Sequence, residues 1–289
     1  MTIADIDPAS TRRNYQRLLE EAARFEAEGL KQAGYAVLVR ENLRMAESIE
    51  VAVEDRDLIE EAVPEAPSIK QAVYQRICRA ARPDAILGTN TSTLPVHTLA
   101  PYVNHPERFL IIHFSNPAPF ISGVEIVRGE ATADNVVSAV KTLLKRANRI
   151  GAEVADRPAF VLNRLQYALL KEADKIVQEG VATTSEFDTV VRTTFGFRLP
   201  FFGPFAIANM AGLDVYADCF KTVEKAYGSR MAMPDLLAEM VQTGAHGVKN
   251  GKRVLWGLQP RKEGRPRCLS QQSLRKITGI TGGARPVTP

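Results

Sequence analysis

Phe109-Leu110-Ile111-Ile112-His113-Phe114-Ser115-Asn116-Pro117 is the stretch that decides the fold. A short apolar run that breaks into Ser-Asn-Pro reads as a buried strand ending in a turn. Working outward, residues 85–88 form a second buried strand, which ends in the polar turn Asn90-Thr91-Ser92-Thr93, and residues 124–127 form a third. Residues 49–53 and 58–63 read as further short strands, 152–154 as the last, and 2–5 as an apolar piece ending in Asp5. Helices are predicted between them, from an Asp7-Pro8 start to residue 28, over 68–81 and over 134–150. Residues 30–46 follow no single period. Alternation as far as residue 157 predicts an α/β fold, a mostly parallel sheet with helices packed on it.

After Pro158 the pattern becomes nearly all helix, over residues 160–179, 185–194, 204–226 and 234–243, with Gly180 as a stop for the first. From Arg253 the periodicity is lost and Arg, Gly, Pro and Ser accumulate. Three segments are therefore expected: an α/β domain over 1–157, a helical domain over 158–252, and an aberrant, disordered tail over 253–289.

Apolar content of 45% and charged content of 24% are those of a globular protein. The net charge of +4 misleads, because residues 253–289 hold eight Lys or Arg and one acid. Before position 253 there remain 29 basic and 32 acidic residues, which leaves no footprint for nucleic acid. The apolar runs fall far short of the ~20 residues a membrane helix needs, and no cationic leader opens the chain. Cys78, Cys219 and Cys268 lie far apart, without pairing or metal spacing. The expectation is a reduced, cytoplasmic compartment with no metal, no membrane and no nucleic-acid partner.

Four polar residues stand in distinctive surroundings: Ser92, His113, Glu125 and Asn163. His113 ends its strand, and active-site groups in open α/β sheets lie at the carboxyl ends of strands. Imidazole titrates near neutrality, so it can take a proton from an alcohol as hydride leaves the same carbon. A structural histidine is the plain alternative. Glu125 sits between Val124 and Ile126, where a carboxylate is costly to bury unless paired; pairing with an imidazole would fix its tautomer. Ser92 could hold a substrate oxygen or the nicotinamide, or simply cap a turn. Asn163 is the polar exception in Phe160-Val161-Leu162-Asn163-Arg164, and a buried amide needs partners. Asp5 could accept ribose hydroxyls or merely precede a helix.

Taken together, these segments resemble the L-3-hydroxyacyl-CoA dehydrogenase family, which includes 3-hydroxybutyryl-CoA dehydrogenases and related gulonate and carnitine dehydrogenases. The resemblance covers residues 3–252. Its markers are Ala4-Asp5-Ile6-Asp7-Pro8, Glu61-Ala62-Val63-Pro64-Glu65, Asn90-Thr91-Ser92, His113-Phe114-Ser115-Asn116-Pro117, Val124-Glu125-Ile126, Phe160-Val161-Leu162-Asn163-Arg164, Phe202-Gly203-Pro204 and Gly212-Leu213-Asp214. It implies a Rossmann-type NAD-binding domain followed by a helical dimerisation domain. It implies His113 as catalytic base, Glu125 as its partner, and Ser92 and Asn163 on the reacting oxygen. Asp5 would hold the adenosine ribose, and Glu65, Lys70, Ser92, Asn116 and Lys249 fall where the family contacts NAD. The implied reaction oxidises an acyl-CoA-type substrate, a 3-hydroxyacyl thioester, in fatty acid metabolism, in a homodimer joined through the helical domain.

Departures from the family set further expectations. The family opens with a strand, a Gly-x-Gly-x-x-Gly turn and a helix, whereas Met1 begins inside what would be the second strand. The NAD-binding domain is thus expected to be truncated, with NAD held at least ~100-fold more weakly than by an intact relative. Glu60 occupies a normally apolar strand position. Beyond Lys252 the family's Gly-Phe-Tyr gives way to Arg253-Val254-Leu255-Trp256-Gly257, as a shifted reading frame would produce. Two other readings stay open: a non-catalytic remnant, and a dehydrogenase of a free hydroxy acid.

Overall fold

The computed structural model describes residues 1–251, in two compact units that divide between Gln178 and Glu179. The expected disordered tail and its frame shift lie outside the described residues. The first unit opens with β1 (Thr2–Ile3) and α1 (Pro8–Ala27), whose N-cap Asp7 accepts from the Ser10 N–H. Residues 30–46 resolve into α2 (Tyr35–Asn42) and β2 (Arg44–Met45), which pairs parallel to β1.

Residues 49–53, expected as a strand, form a helix instead, α3 (Ile49–Val53). Ser48 caps it by accepting from Val51 N–H, and Ile49, Ala52 and Val53 are buried together. A cap and an i, i+3, i+4 burial pattern outweigh the β-branched composition. After it come β3 (Leu58–Glu61), α4 (Pro67–Ala80), β4 (Ile86–Thr89) and a short α5 (Val96–Leu99) that the periodicity did not reveal. The unit closes with β5 (Phe109–Phe114), β6 (Gly123–Arg128), α6 (Asp134–Arg146), β7 (Ile150–Val154) and α7 (Leu162–Gln178).

The main sheet has the order β3-β4-β5-β6-β7, and β1-β2 make a separate two-stranded sheet. Every pair is parallel except β5 with β6, which run antiparallel with His113 opposite Glu125. The α/β architecture agrees with the sequence. Alternation of side chains sorts the sheet into two faces. One face carries Ile59, Leu87, Phe109, Ile111 and Val127, packed with Tyr74 and Ile77 of α4. The other carries Leu110, Ile112, Val124 and Ile126 under Val136, Val137, Val140 and Leu144 of α6.

The second unit is helical. It contains α8 (Thr184–Val190), which runs through the turn Val191–Phe195 into α9 (Gly196–Arg198), then α10 (Pro204–Ala211), α11 (Leu213–Tyr227) and α12 (Asp235–Gln242). The expected single helix over 204–226 is broken at Gly212, whose φ of 107° no helix accommodates.

Candidate active site

The first site element is the antiparallel register itself. Opposed residues in such a pair project to the same face, so His113 and Glu125 meet, with Nδ1 2.8 Å from Glu125 Oε2. Both side chains are largely buried, at 6% and 12% exposure. The other oxygen, Glu125 Oε1, accepts the N–H groups of Val161 (2.9 Å) and Leu162 (3.0 Å). These donors open α7, where backbone N–H groups have no helical partner and favour a carboxylate. Glu125 thereby ties the imidazole to a helix start.

The approach to that helix is bent. Ala159 and Phe160 hold φ values of 62° and 48°, a region that side chains rarely adopt. The bend turns the buried Phe160 ring onto His113, edge-to-face with centroids 5.8 Å apart. It also presents Asn163, whose Nδ2 donates to the Ser92 carbonyl at 2.9 Å. Sequence reasoning missed Phe160; its only signal was an aromatic directly before the helix.

Ser92 lies in the turn after β4, and Glu65 grips that turn. Glu65 Oε1 accepts the Thr91 hydroxyl at 2.5 Å, the Ser92 N–H at 3.0 Å, and the Thr93 N–H and hydroxyl at 2.9 and 3.0 Å. Burial alone would raise the Glu65 carboxyl; those hydrogen bonds and the Lys70 charge outweigh it and hold it below the usual range. Behind Glu65, Lys70 is buried at 1% exposure and donates to Glu61 Oε1 at 2.9 Å, Oε2 at 3.1 Å and the Val63 carbonyl at 3.3 Å. Glu61, which the sequence offered only as a family marker, is thus a centre of the site's support.

The remaining candidates spread along strand ends. Asp5 follows β1 and accepts the Ile6 N–H and Asn14 Nδ2, both at 2.7 Å, on different oxygens. Asn116 is exposed just past β5. Neighbouring Asn90 bridges two strand ends by accepting the Phe114 N–H at 2.8 Å. Lys249 belongs to the second unit, where it pairs with Asp214 at 2.8 Å. The structure therefore brings His113 and Glu125 together at the start of α7, ties Asn163 of that helix to the Ser92 turn and the turn to Glu65, and sets Lys70 behind Glu65 with Nζ 3.6 Å from Oε2; Asp5, Asn116 and Lys249 stand outside this series. Among the described residues no cluster of three or more His, Cys, Asp or Glu suits a metal, and no helix is long and apolar enough to cross a membrane.

Residues 1–157 match the NAD-binding domain of 3-hydroxyacyl-CoA dehydrogenase, and residues 160–257 match the C-terminal domain of the same family. A 5-formyl-3-hydroxy-2-methylpyridine 4-carboxylate 5-dehydrogenase from Mesorhizobium japonicum is 30% identical over 279 residues, 96% of this chain and 87% of its own. A probable 3-hydroxybutyryl-CoA dehydrogenase from Bacillus subtilis is 31% identical over 249 residues, 86% and 85% of the two chains. The crystal structure of a 3-hydroxyacyl-CoA dehydrogenase from Archaeoglobus fulgidus superposes with a TM-score of 0.70 at 27% identity, covering 87% of this chain and 88% of its own.

Proposed function

The chain belongs to the 3-hydroxyacyl-CoA dehydrogenase family of NAD-dependent oxidoreductases, and on that premise we propose that it oxidises an L-3-hydroxyacyl-CoA to the 3-ketoacyl-CoA. The observation that carries the reading is the His113–Glu125 pair locked onto the start of α7.

The donor set fits the cofactor. Each Asp5 oxygen holds one N–H donor, and an ionised carboxylate has about four lone-pair sites. Asp5 thus keeps acceptors for the ribose hydroxyls. Glu65, Ser92 and Asn116, at neighbouring strand ends, complete the proposed cofactor contacts of this unit, with the Lys70 charge behind Glu65. NAD, when bound, supplies the hydride acceptor.

His113 acts as the base. Glu125 engages Nδ1, which makes Nδ1 the N–H nitrogen and leaves Nε2 to take the hydroxyl proton. The imidazolium so formed is held by the same carboxylate. Asn163 spends one N–H on the Ser92 carbonyl and keeps the other for the reacting oxygen, which the Ser92 hydroxyl also contacts. Exposed apolar side chains, Leu165 and Leu170 in the first unit and Phe205 in the second, support a homodimer, and three scattered cysteines without pairing or metal spacing support the cytoplasm as its compartment.

A free hydroxy acid is the second substrate reading, favoured by the similarity to a dehydrogenase whose named substrate is a free carboxylate rather than a CoA thioester. Measuring NADH formation from 3-hydroxybutyryl-CoA beside free 3-hydroxybutyrate separates the two. His113→Gln is expected to lower kcat by ~100- to 10,000-fold with little change in KM, since only a transition-state proton acceptor is lost. Full turnover in that variant removes His113 from the mechanism. Turnover of the free acid alone rejects the thioester.

A further inference from the structure

Glu61 ends β3 with its side chain fully enclosed, at 0% exposure. Both oxygens are saturated. Oε1 accepts the Val63 N–H at 2.6 Å and Lys70 at 2.9 Å; Oε2 accepts Lys70 at 3.1 Å, the Tyr74 hydroxyl at 2.7 Å and the Thr89 hydroxyl at 2.6 Å. Burial first, then the Glu61 charge, pushes the Tyr74 phenol upward, so it remains a donor. A cluster that served only to stabilise β3 against α4 would end there.

It continues, because Lys70 also faces Glu65, with Nζ 3.6 Å from Oε2. The two Glu65 oxygens divide the work. All four hydrogen bonds to the Ser92 turn fall on Oε1, while Oε2 faces the ammonium. A free ammonium at this distance would close on Oε2 to a full charge-assisted contact of ~2.8 Å and turn the carboxylate with it. The grip of Glu61 keeps Lys70 from doing so.

We propose that Glu61 is a positioning residue for Ser92: by holding Lys70 back, it leaves Glu65 Oε1 on the Ser92 and Thr93 N–H groups. Lys70 then serves the site from within, as a fixed charge behind Glu65. The consequence for catalysis rests on Ser92 contacting the reacting oxygen. The geometry of the turn does not, so the experiment reads the turn directly in cofactor-free protein.

The readout is the amide resonances of Ser92 and Thr93 in serine- and threonine-labelled full-length chain. Glu65→Gln marks where they move when the carboxylate is lost. Glu61→Gln, which keeps shape and removes charge, is expected to shift both amides toward those positions. The double variant Glu61→Gln with Lys70→Met removes the anion and the cation together, and is expected to return them to the wild-type positions. A merely structural role gives the reverse, a double variant displaced as far as the single. Unmoved amides in folded Glu61→Gln overturn the proposal. If the single variant does not fold, the double decides alone: wild-type amide positions support the proposal, and displaced ones overturn it.

Discussion

On the face of β3 that α4 covers, Glu61 accepts hydrogen bonds from a lysine, a tyrosine, a threonine and a backbone N–H. One residue earlier, on the opposite face, Glu60 lies over Gly88 of β4, where an added methyl would collide with its carboxylate. Glu60 is exposed to solvent, although crowding by protein atoms pushes its carboxyl above the usual range, the Glu61 charge adding to that and Lys70 opposing it; its open solvent contact means that only part of this upward push reaches stability. Residue type is the same and position differs by one. What differs is what each face supplies, for a strand sends alternate side chains to opposite surroundings. The α4 face brings donors from α4, from β4 and from the segment after β3, whereas Glu60 lies over Gly88, which has no side chain to donate.

The contrast can be broken from the Glu61 side. Lys70→Met leaves a buried carboxylate without its cation and is expected to cost about 3–5 kcal/mol of stability. Urea unfolding checks this, and a loss within error of zero means that Glu61 is not the charged partner the geometry describes. Tyr74→Phe removes one donor and leaves the ion pair, for an expected loss of about 1–2 kcal/mol by the same measurement.

The smallest effect comes from Glu60 and has the opposite sign. A raised carboxyl means that the folded chain binds this proton more tightly than the unfolded one. Stability is then lost as pH rises from the unfolded value through the folded value. Glu60→Gln should therefore stabilise the chain at neutral pH by on the order of 1 kcal/mol, discounted for its solvent contact. The gain should vanish below the unfolded carboxylate range. Thermal unfolding across pH tests it, and an equal gain at acid pH would assign the effect to packing.

The same contrast explains how legible the site was. His113, Glu125, Ser92 and Asn163 could be picked from the sequence because each is a polar exception in an apolar or turn context. Phe160 could not, since an aromatic beside apolar residues has no reason to stand out. Lys70 could be placed near the site, but its burial against Glu61 could not be read, because lysine on a helix is ordinarily a solvent-facing residue.

The sequence by itself determined the alternation of strands and helices, the change to helix after Pro158, and the titratable residues from which the proposed site is drawn. Periodicity and residue type are local, and local signals survive in one dimension. Only the tertiary structure decided that residues 49–53 coil into α3, that a helix breaks at Gly212, and that β5 and β6 run antiparallel. That last pairing sets His113 against Glu125, and it sits in no single segment. Cross-strand register and the sharing of donors among β3, α4 and β4 depend on contacts between residues distant in the chain, and only packing in three dimensions creates them.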